Sequence, residues 1–503
     1  MYFPQQKNIR NTIMNKYILK TLLCSALVAP LLTSCEFDQY PETSLPVEGS
    51  WEQVSDAANY NTGLLAVLRS VTGGNHRVVS EVQSDLFNAR MGTANYNQTH
   101  QWTFTTSQFD GDVVWSGNYN LVANANNIIN NIDNIAVEAG SDDEAALKYY
   151  KGVAYFARAY AYTNMVVRYC KDYDPATADN ELGLPIIETV DVNKKPSRSS
   201  LATTYAFIKE DIRQAKLLLT DGSDVDFTAP NANALEALDA RVSLYMHDWD
   251  NAIACASDLI SKYPLAQTEG EFADMWLNDN GSEIIYQPLQ TIDERVNGYS
   301  AFISYSTALS AYSPFFLPTQ GVIDLYTPGD MRLSTYFAQV PASTNDMVDE
   351  NAVILNKYPG NPTLKQQPTD YYNMTKAFRA AEMYLIAAEA SYQKDGNEGG
   401  FLNSLRQQRG AAGVTLTGDA LWSEIKNEWV REMVGEGFRL DCLKRWHEGF
   451  TRMPAQPLMA GFFITADGFT NLTVNADNEK FVWEIPFNDL QANKNLERNW
   501  SVK

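Results

Sequence analysis

The chain has 503 residues, 45% of them hydrophobic and 20% charged, with a formal net charge of −22. That composition belongs to a folded protein with core enough to need neither disulfide nor metal staples. The acid surplus excludes nucleic acid as a partner, since such binding needs clustered Lys and Arg, and it excludes attachment to an anionic lipid surface by charge alone.

The amino terminus carries the first signal. Lys16 and Lys20 precede an apolar run from Thr21 to Leu32, too short to span a bilayer. The run ends in Leu32-Thr33-Ser34-Cys35, which resembles a bacterial lipobox. Small residues admit the peptidase, and the Cys thiol forms the thioether to diacylglycerol. Residues 1–34 are therefore expected to be a signal peptide, with Met14 as an alternative start, and Cys35 the lipidated first residue. Residues 1–34 hold four cations and no acid, so the mature chain keeps 35 cations against 61 acids, a net −26. A single acyl chain anchors marginally, whereas two or more hold stably. Residues 35–50 are polar, include two prolines, and read as the lipidated Cys with a tether. Residues 51–503 show no further linker and read as a single domain. Cys170, Cys255 and Cys442 remain, at long spacings and without a CxxC, so buried free thiols are expected.

The body is predicted to be mainly α. Residues 144–166 place Val153, Ala157, Ala161 and Met165 at four-residue steps, a helical stripe. Residues 204–219 repeat it with Tyr205, Ile208, Ile212, Ala215 and Leu219. Within 233–263 one helix runs to about Met246, His247-Asp248 turns the chain, and a second helix begins near Trp249. Ala240, Ala252 and Pro264 fall twelve apart, resembling a tetratricopeptide repeat, although Leu259 stands where a small residue is usual. Residues 377–393 and 400–409 form another such pair. The pairs predict a solenoid framework. Residues 73–120 and 265–370 are richer in Gly, Asn, Pro, Thr and aromatics, and read as loops, short strands and irregular helices laid over it. Binding residues favour such loops on a rigid scaffold.

Catalytic motifs are missing. The four histidines, His76, His100, His247 and His447, form no ligand spacing, and there is no GxSxG, P-loop or dinucleotide glycine pattern. Asp221, Asp224 and Asp226 match a calcium loop only faintly, with glycine second rather than sixth. No metal or cofactor is expected. Arg379, Glu382, Glu389, Arg439, Asp441 and Arg445 read as charge pairs that clamp helices together, not as a catalytic cluster.

Seven blocks in order are similar to the SusD/RagB family over nearly the whole mature chain. They are Trp115–Tyr119 with Ala125–Ile129; Ala154–Ala159 with Leu184–Ile186; Pro196–Ser200 with Tyr205, Ile208 and Asp211; Ala237–Trp249; Leu325-Tyr326 with Asp330 and Arg332; Arg379–Ala390; and Glu436–Trp446. Departures are local: Glu484-Ile485-Pro486 replaces a usual Pro-Ile-Pro, Cys442 stands where Leu is common, and Glu497-Arg498-Asn499 matches loosely. The resemblance implies a non-enzymatic, surface-exposed lipoprotein of the outer membrane. Glu36 and Asp38 behind the Cys fit that export. It also implies a partner, a SusC-like TonB-dependent transporter, to which a bound oligosaccharide or polysaccharide is delivered. RagB-like relatives keep open a lid for peptides or another nutrient.

In the family, starch binders use aromatics from an early and a middle loop. The matching regions here are 82–102, offering Asp85, Arg90, Tyr96, Asn97 and Trp102, and 292–316, offering Arg295, Tyr299, Tyr305, Tyr312 and Phe316. The chemistry suits: an aromatic face stacks on the C–H face of a sugar while Asp, Asn and Arg bond its hydroxyls. Aromatics make up 12% of the chain, including 27 Tyr and 10 Trp.

Overall fold

Alanine at four-residue steps lets long helices pack close together, and that packing sets the architecture. In the computed structural model the described residues are 50–500, apart from 190, 192, 221–225, 297, 298 and 346. The segment expected to be a signal peptide, Cys35 and most of the expected tether lie outside them, as does most of the Asp221–Asp226 loop. Helix α1 (Val54–Thr72) is followed by α2 (Asn75–Gln83), α3 (Asp112–Asn131), α4 (Asp142–Tyr169) and α5 (Leu201–Lys216). Ser141 and Ser200 cap α4 and α5 through their side chains. The buried stripe of α4 includes Val153, Ala157, Ala161 and Met165. Helix α3 packs on α4, and α4 on α5.

The pair predicted over 233–263 is α6 (Ala232–Tyr245) and α7 (Trp249–Lys262). His247 turns between them with φ +59°, and Asp248 caps α7. Ala240, Ala252 and Leu259 are all fully buried. The later pair is α9 (Ala380–Asp395) and α10 (Phe401–Gln408), with α8 (Glu269–Leu277) before it and α11 (Gly418–Met433) after it. Helix α9 packs against α7, so the pairs stack on one another. The fold is mainly α with tetratricopeptide-like helix pairs, and Gln53–Lys503 form one compact unit. Cys170, Cys255 and Cys442 are free and buried.

Residues 73–120 are more helical than the sequence pattern indicates. Helix α2 is buried nearly all round, including Ser80, Glu81 and Gln83, so it shows no polar stripe. The 265–370 segment carries short strands. Strand β1 (Phe87–Ala89) pairs antiparallel with β4 (Phe316–Pro318). Strand β2 (Tyr305–Ser306) pairs with β3 (Ala311–Tyr312), which runs parallel to β5 (Phe337–Thr344), itself antiparallel to β6 (Met347–Leu355).

A buried ionic row ties the two parts together. Glu424, Glu428 and Glu432 stand four apart on α11, and Glu436 continues the spacing beyond it. Glu432 takes Arg379 at 2.5 Å and both Arg332 and Arg409 at 2.9 Å. Arg332 also holds Asp330 at 2.8 Å and Glu428 at 2.5 Å, Arg409 holds Glu283 at 2.6 Å, and Glu436 takes Arg379 and Lys357 at 2.6 Å. The predicted clamp residues are likewise ion-paired: Arg241–Glu382 at 2.6 Å, Arg445–Glu389 at 2.8 Å, Arg439–Asp85 at 2.8 Å and Arg168–Asp441 at 3.5 Å.

These groups set the response to acid. Burial, then the charge of Arg168, pushes His76 down to about 3; burial, then Arg452, holds His100 well below 6.5. Their stabilisation is complete above pH 6.5 and is lost as pH falls through the folded values. Burial lifts Glu81 to about 7 and Asp112 to about 6, and their contribution runs the other way, vanishing as pH rises through those values. Burial alone would raise Glu436 and Glu432. Arg379 and Lys357 instead bring Glu436 to about 2, and Arg409, Arg379 and Arg332 hold Glu432 well below 4.5. The melting temperature is therefore expected to change little between pH 7 and 4.5, where opposed groups offset, and to fall steeply below 4.5. Calorimetric melts across that range check it; a steep loss already complete at pH 5 would contradict it.

Candidate functional site

Pairing of β1 with β4 brings the early and middle loops side by side. The Arg90 N–H donates to the Phe315 carbonyl at 2.9 Å, its Nε to the Pro314 carbonyl at 2.8 Å, and the Thr93 hydroxyl to the Phe315 carbonyl at 3.0 Å. Four of the predicted ligand residues are used up by packing. Asp85 is buried, with both carboxylate oxygens 2.8 Å from Arg439. Trp102 is buried against Phe450 and Phe481, its indole N–H bonded to the Gln83 carbonyl at 2.7 Å. Tyr299 is buried and stacked on Tyr358 at 3.6 Å. Phe316 is fully buried beside Tyr96 and His100. Each belongs to the core and leaves the candidate set.

The remaining early residues form one half-buried subset. Tyr96 adopts φ +59° and donates its hydroxyl to Asn75 at 2.8 Å. Asn97 opens a short helix and bonds the Thr93 carbonyl at 2.9 Å, while its own Oδ1 has no partner. Arg90 stays with the Pro314 and Met91 carbonyls.

The middle loop supplies the second subset. The β2–β3 register sets Tyr305 opposite Tyr312, with half-exposed rings 5.2 Å apart and nearly perpendicular, at 83°. A third ring, Tyr371, stands 6.2 Å from Tyr312 at 45°, also half-exposed. Burial, then a hydrogen bond with the Tyr312 hydroxyl, raises the Tyr371 phenol, so it stays protonated. Lys365 lies 5.5 Å over Tyr371, and Arg295 lies 4.3 Å over Tyr372 while its Nη1 holds the Leu364 carbonyl at 2.9 Å and Asp370 at 3.2 Å. Tyr371, Tyr372 and Lys365 escaped the sequence reading; the available signal was the Tyr doublet in the proline-containing loop 362–373. Three phenols, with two cations against the adjoining 364–372 loop, offer ring faces, donors and acceptors, the groups that hold a polyhydroxylated ring. A further aromatic group, Tyr392–Trp422–Trp446, stacks on itself and gives its Trp446 N–H to Glu389.

Among the described residues no group of three or more His, Cys, Asp or Glu could hold a metal, and no helix is long and apolar enough to cross a membrane. The profile of the SusD family matches residues 254–501, and a SusD-like profile described as "starch-binding associating with outer membrane" matches residues 38–244. The chain belongs to the SusD family. Members of this family are associated with the outer membrane. Solved structures share the fold. A SusD superfamily protein from Bacteroides thetaiotaomicron is 21% identical, with a TM-score of 0.76 over 89% of this chain and 100% of its own. A SusD-like carbohydrate-binding protein from Bacteroides vulgatus is 19% identical, with a TM-score of 0.70 over 90% and 99%. A surface glycan-binding protein A from Bacteroides fluxus is 20% identical, with a TM-score of 0.67 over 90% and 99%. No curated protein matches the chain.

Proposed function

We propose that this SusD family protein is a lipid-anchored surface protein that captures oligosaccharide or polysaccharide without cleaving it. It passes the glycan to a SusC-like TonB-dependent transporter in the outer membrane. The observation that carries the reading is the half-exposed Tyr305–Tyr312–Tyr371 group at the sheet edge. Arg295, Arg90, Tyr96 and Asn97 lie within the two loops and are candidate hydroxyl partners. Cys35, through its acyl chains, holds the protein at the membrane, and the tether of residues 36–50 lets the globule reach a substrate. Family neighbours described as glycan- or carbohydrate-binding support the ligand class.

Calorimetry with a panel of neutral polysaccharides, their oligosaccharides and mixed peptides tests the reading. Micromolar-to-millimolar binding of at least one glycan, about −8 to −4 kcal/mol, is expected, without release of reducing sugar. Binding of peptides alone would transfer the role to peptide capture, and release of reducing sugar would make the protein an enzyme. Mass spectrometry of the membrane-extracted protein should find Cys35 acylated at the mature amino terminus.

A further inference from the structure

We infer that the tyrosine surface prefers sugars that carry a carboxylate, uronic acid units in a glycan; this rests on the glycan-binding reading above. One cation stands on a ring of this surface and a second on the next residue of the chain, Tyr372. The Lys365 ammonium, over Tyr371, bonds the Pro359 carbonyl at 3.3 Å, and no carboxylate of the described residues pairs with it. Arg295, over Tyr372, is anchored through Nη1 alone, so its Nε and Nη2 have no partner among the described residues. The carboxylate beside them, Asp370, also accepts the N–H groups of Gln366 at 2.9 Å and Gln367 at 3.1 Å. Nearby Glu294 is taken by Arg69 at 2.7 Å.

Two positive groups therefore stand near two acids that are already committed to other donors, Asp370 and Glu294, in a chain whose total charge is −22. A pyranose stacked on these rings would bring a carboxylate at its rim within reach of an unmatched ammonium or of the free guanidinium edge, which suits a carboxylate in a bidentate pair. The surplus of acid elsewhere repels a densely charged polymer. The best ligand is accordingly a short or sparsely charged one.

The test compares hexamers of galacturonic acid and of glucuronic acid with the same hexamers after carboxyl reduction, by calorimetry with the full mature chain. In low salt the acidic form of at least one hexamer should bind about three- to tenfold tighter, the scale of one or two exposed charge pairs. The gap should close in 0.5 M salt, used so that screening falls within about 5 Å. Lys365→Gln should narrow the ratio toward one. Equal or tighter binding of the reduced hexamers overturns the inference, as does rejection of both forms while neutral glycans bind. Failure of every glycan, neutral and acidic, overturns instead the reading on which it rests.

Discussion

Replacing Glu432 with Gln is expected to destabilise the folded chain by about 3–5 kcal/mol, the loss seen when one partner of a buried ion pair is removed. Glu432 is fully buried and is the carboxylate on which Arg332, Arg379 and Arg409 converge. Gln preserves the shape but leaves three buried guanidiniums to share the remaining acids. Asp330 and Glu283 are already committed to Arg332 and Arg409, Glu428 is taken by Arg406 and Arg431 as well as Arg332, and Glu436 by Lys357 as well as Arg379. Glu424, at the outer end of the row, is the internal comparison. Its side chain is 17% exposed and water can replace part of what is lost, so Glu424→Gln should cost distinctly less. Urea unfolding with unchanged m values measures both. A Glu432→Gln loss below about 1 kcal/mol would mean that the network relaxes or takes in water, and would remove the claim that it holds the sheet lobe to α11.

That network shows where the sequence stops speaking. The four-residue spacing from Glu424 to Glu436 is visible in the chain, but a charged stripe on a helix ordinarily faces solvent. Its partners Arg332, Arg379 and Arg409 lie 100, 53 and 23 residues away from Glu432, and nothing local marks them as its mates. The α6–α7 pair was readable to within a residue or two because its signal is local: small residues at the crossing, a cap at Asp248 and a turn at His247. Helix α2 was not readable as a helix of the core, since Ser80 and Glu81 are buried on partners from elsewhere, Arg168 and Gly437. The candidate site divides in the same way. Composition marked the two loops, and β1–β4 pairing does join them. Which side chains stay free depended on long-range pairing: Arg439, 354 residues away, takes Asp85 out of the set, and Tyr371 enters it from a loop well beyond β3.

Loss of the two rings that meet at Tyr312 and Tyr371 should weaken glycan binding about 30-fold. A sugar stacked on one ring covers about 50 Å², worth roughly 1 kcal/mol at about 25 cal/mol/Å², and Tyr312→Ala with Tyr371→Ala removes two such faces. The same substitutions also remove the hydrogen bond between the phenols. The Phe variants separate these contributions. Tyr312→Phe and Tyr371→Phe keep both faces and lose the hydroxyls, so they should cost about tenfold or less, near the net worth of one hydrogen bond each. Tyr312 also pairs with Tyr305 across β2–β3, and loss of that cross-strand contact costs about 0.2–1 kcal/mol of stability, far less than would unfold a domain of this size. A melting temperature within a few degrees of native, measured beside the calorimetric titration, would show that the effect belongs to the ligand. If the double Ala variant binds the best glycan of the panel within twofold of native, these rings are not the platform. The half-buried subset of Arg90, Tyr96 and Asn97 would then be the next surface to substitute.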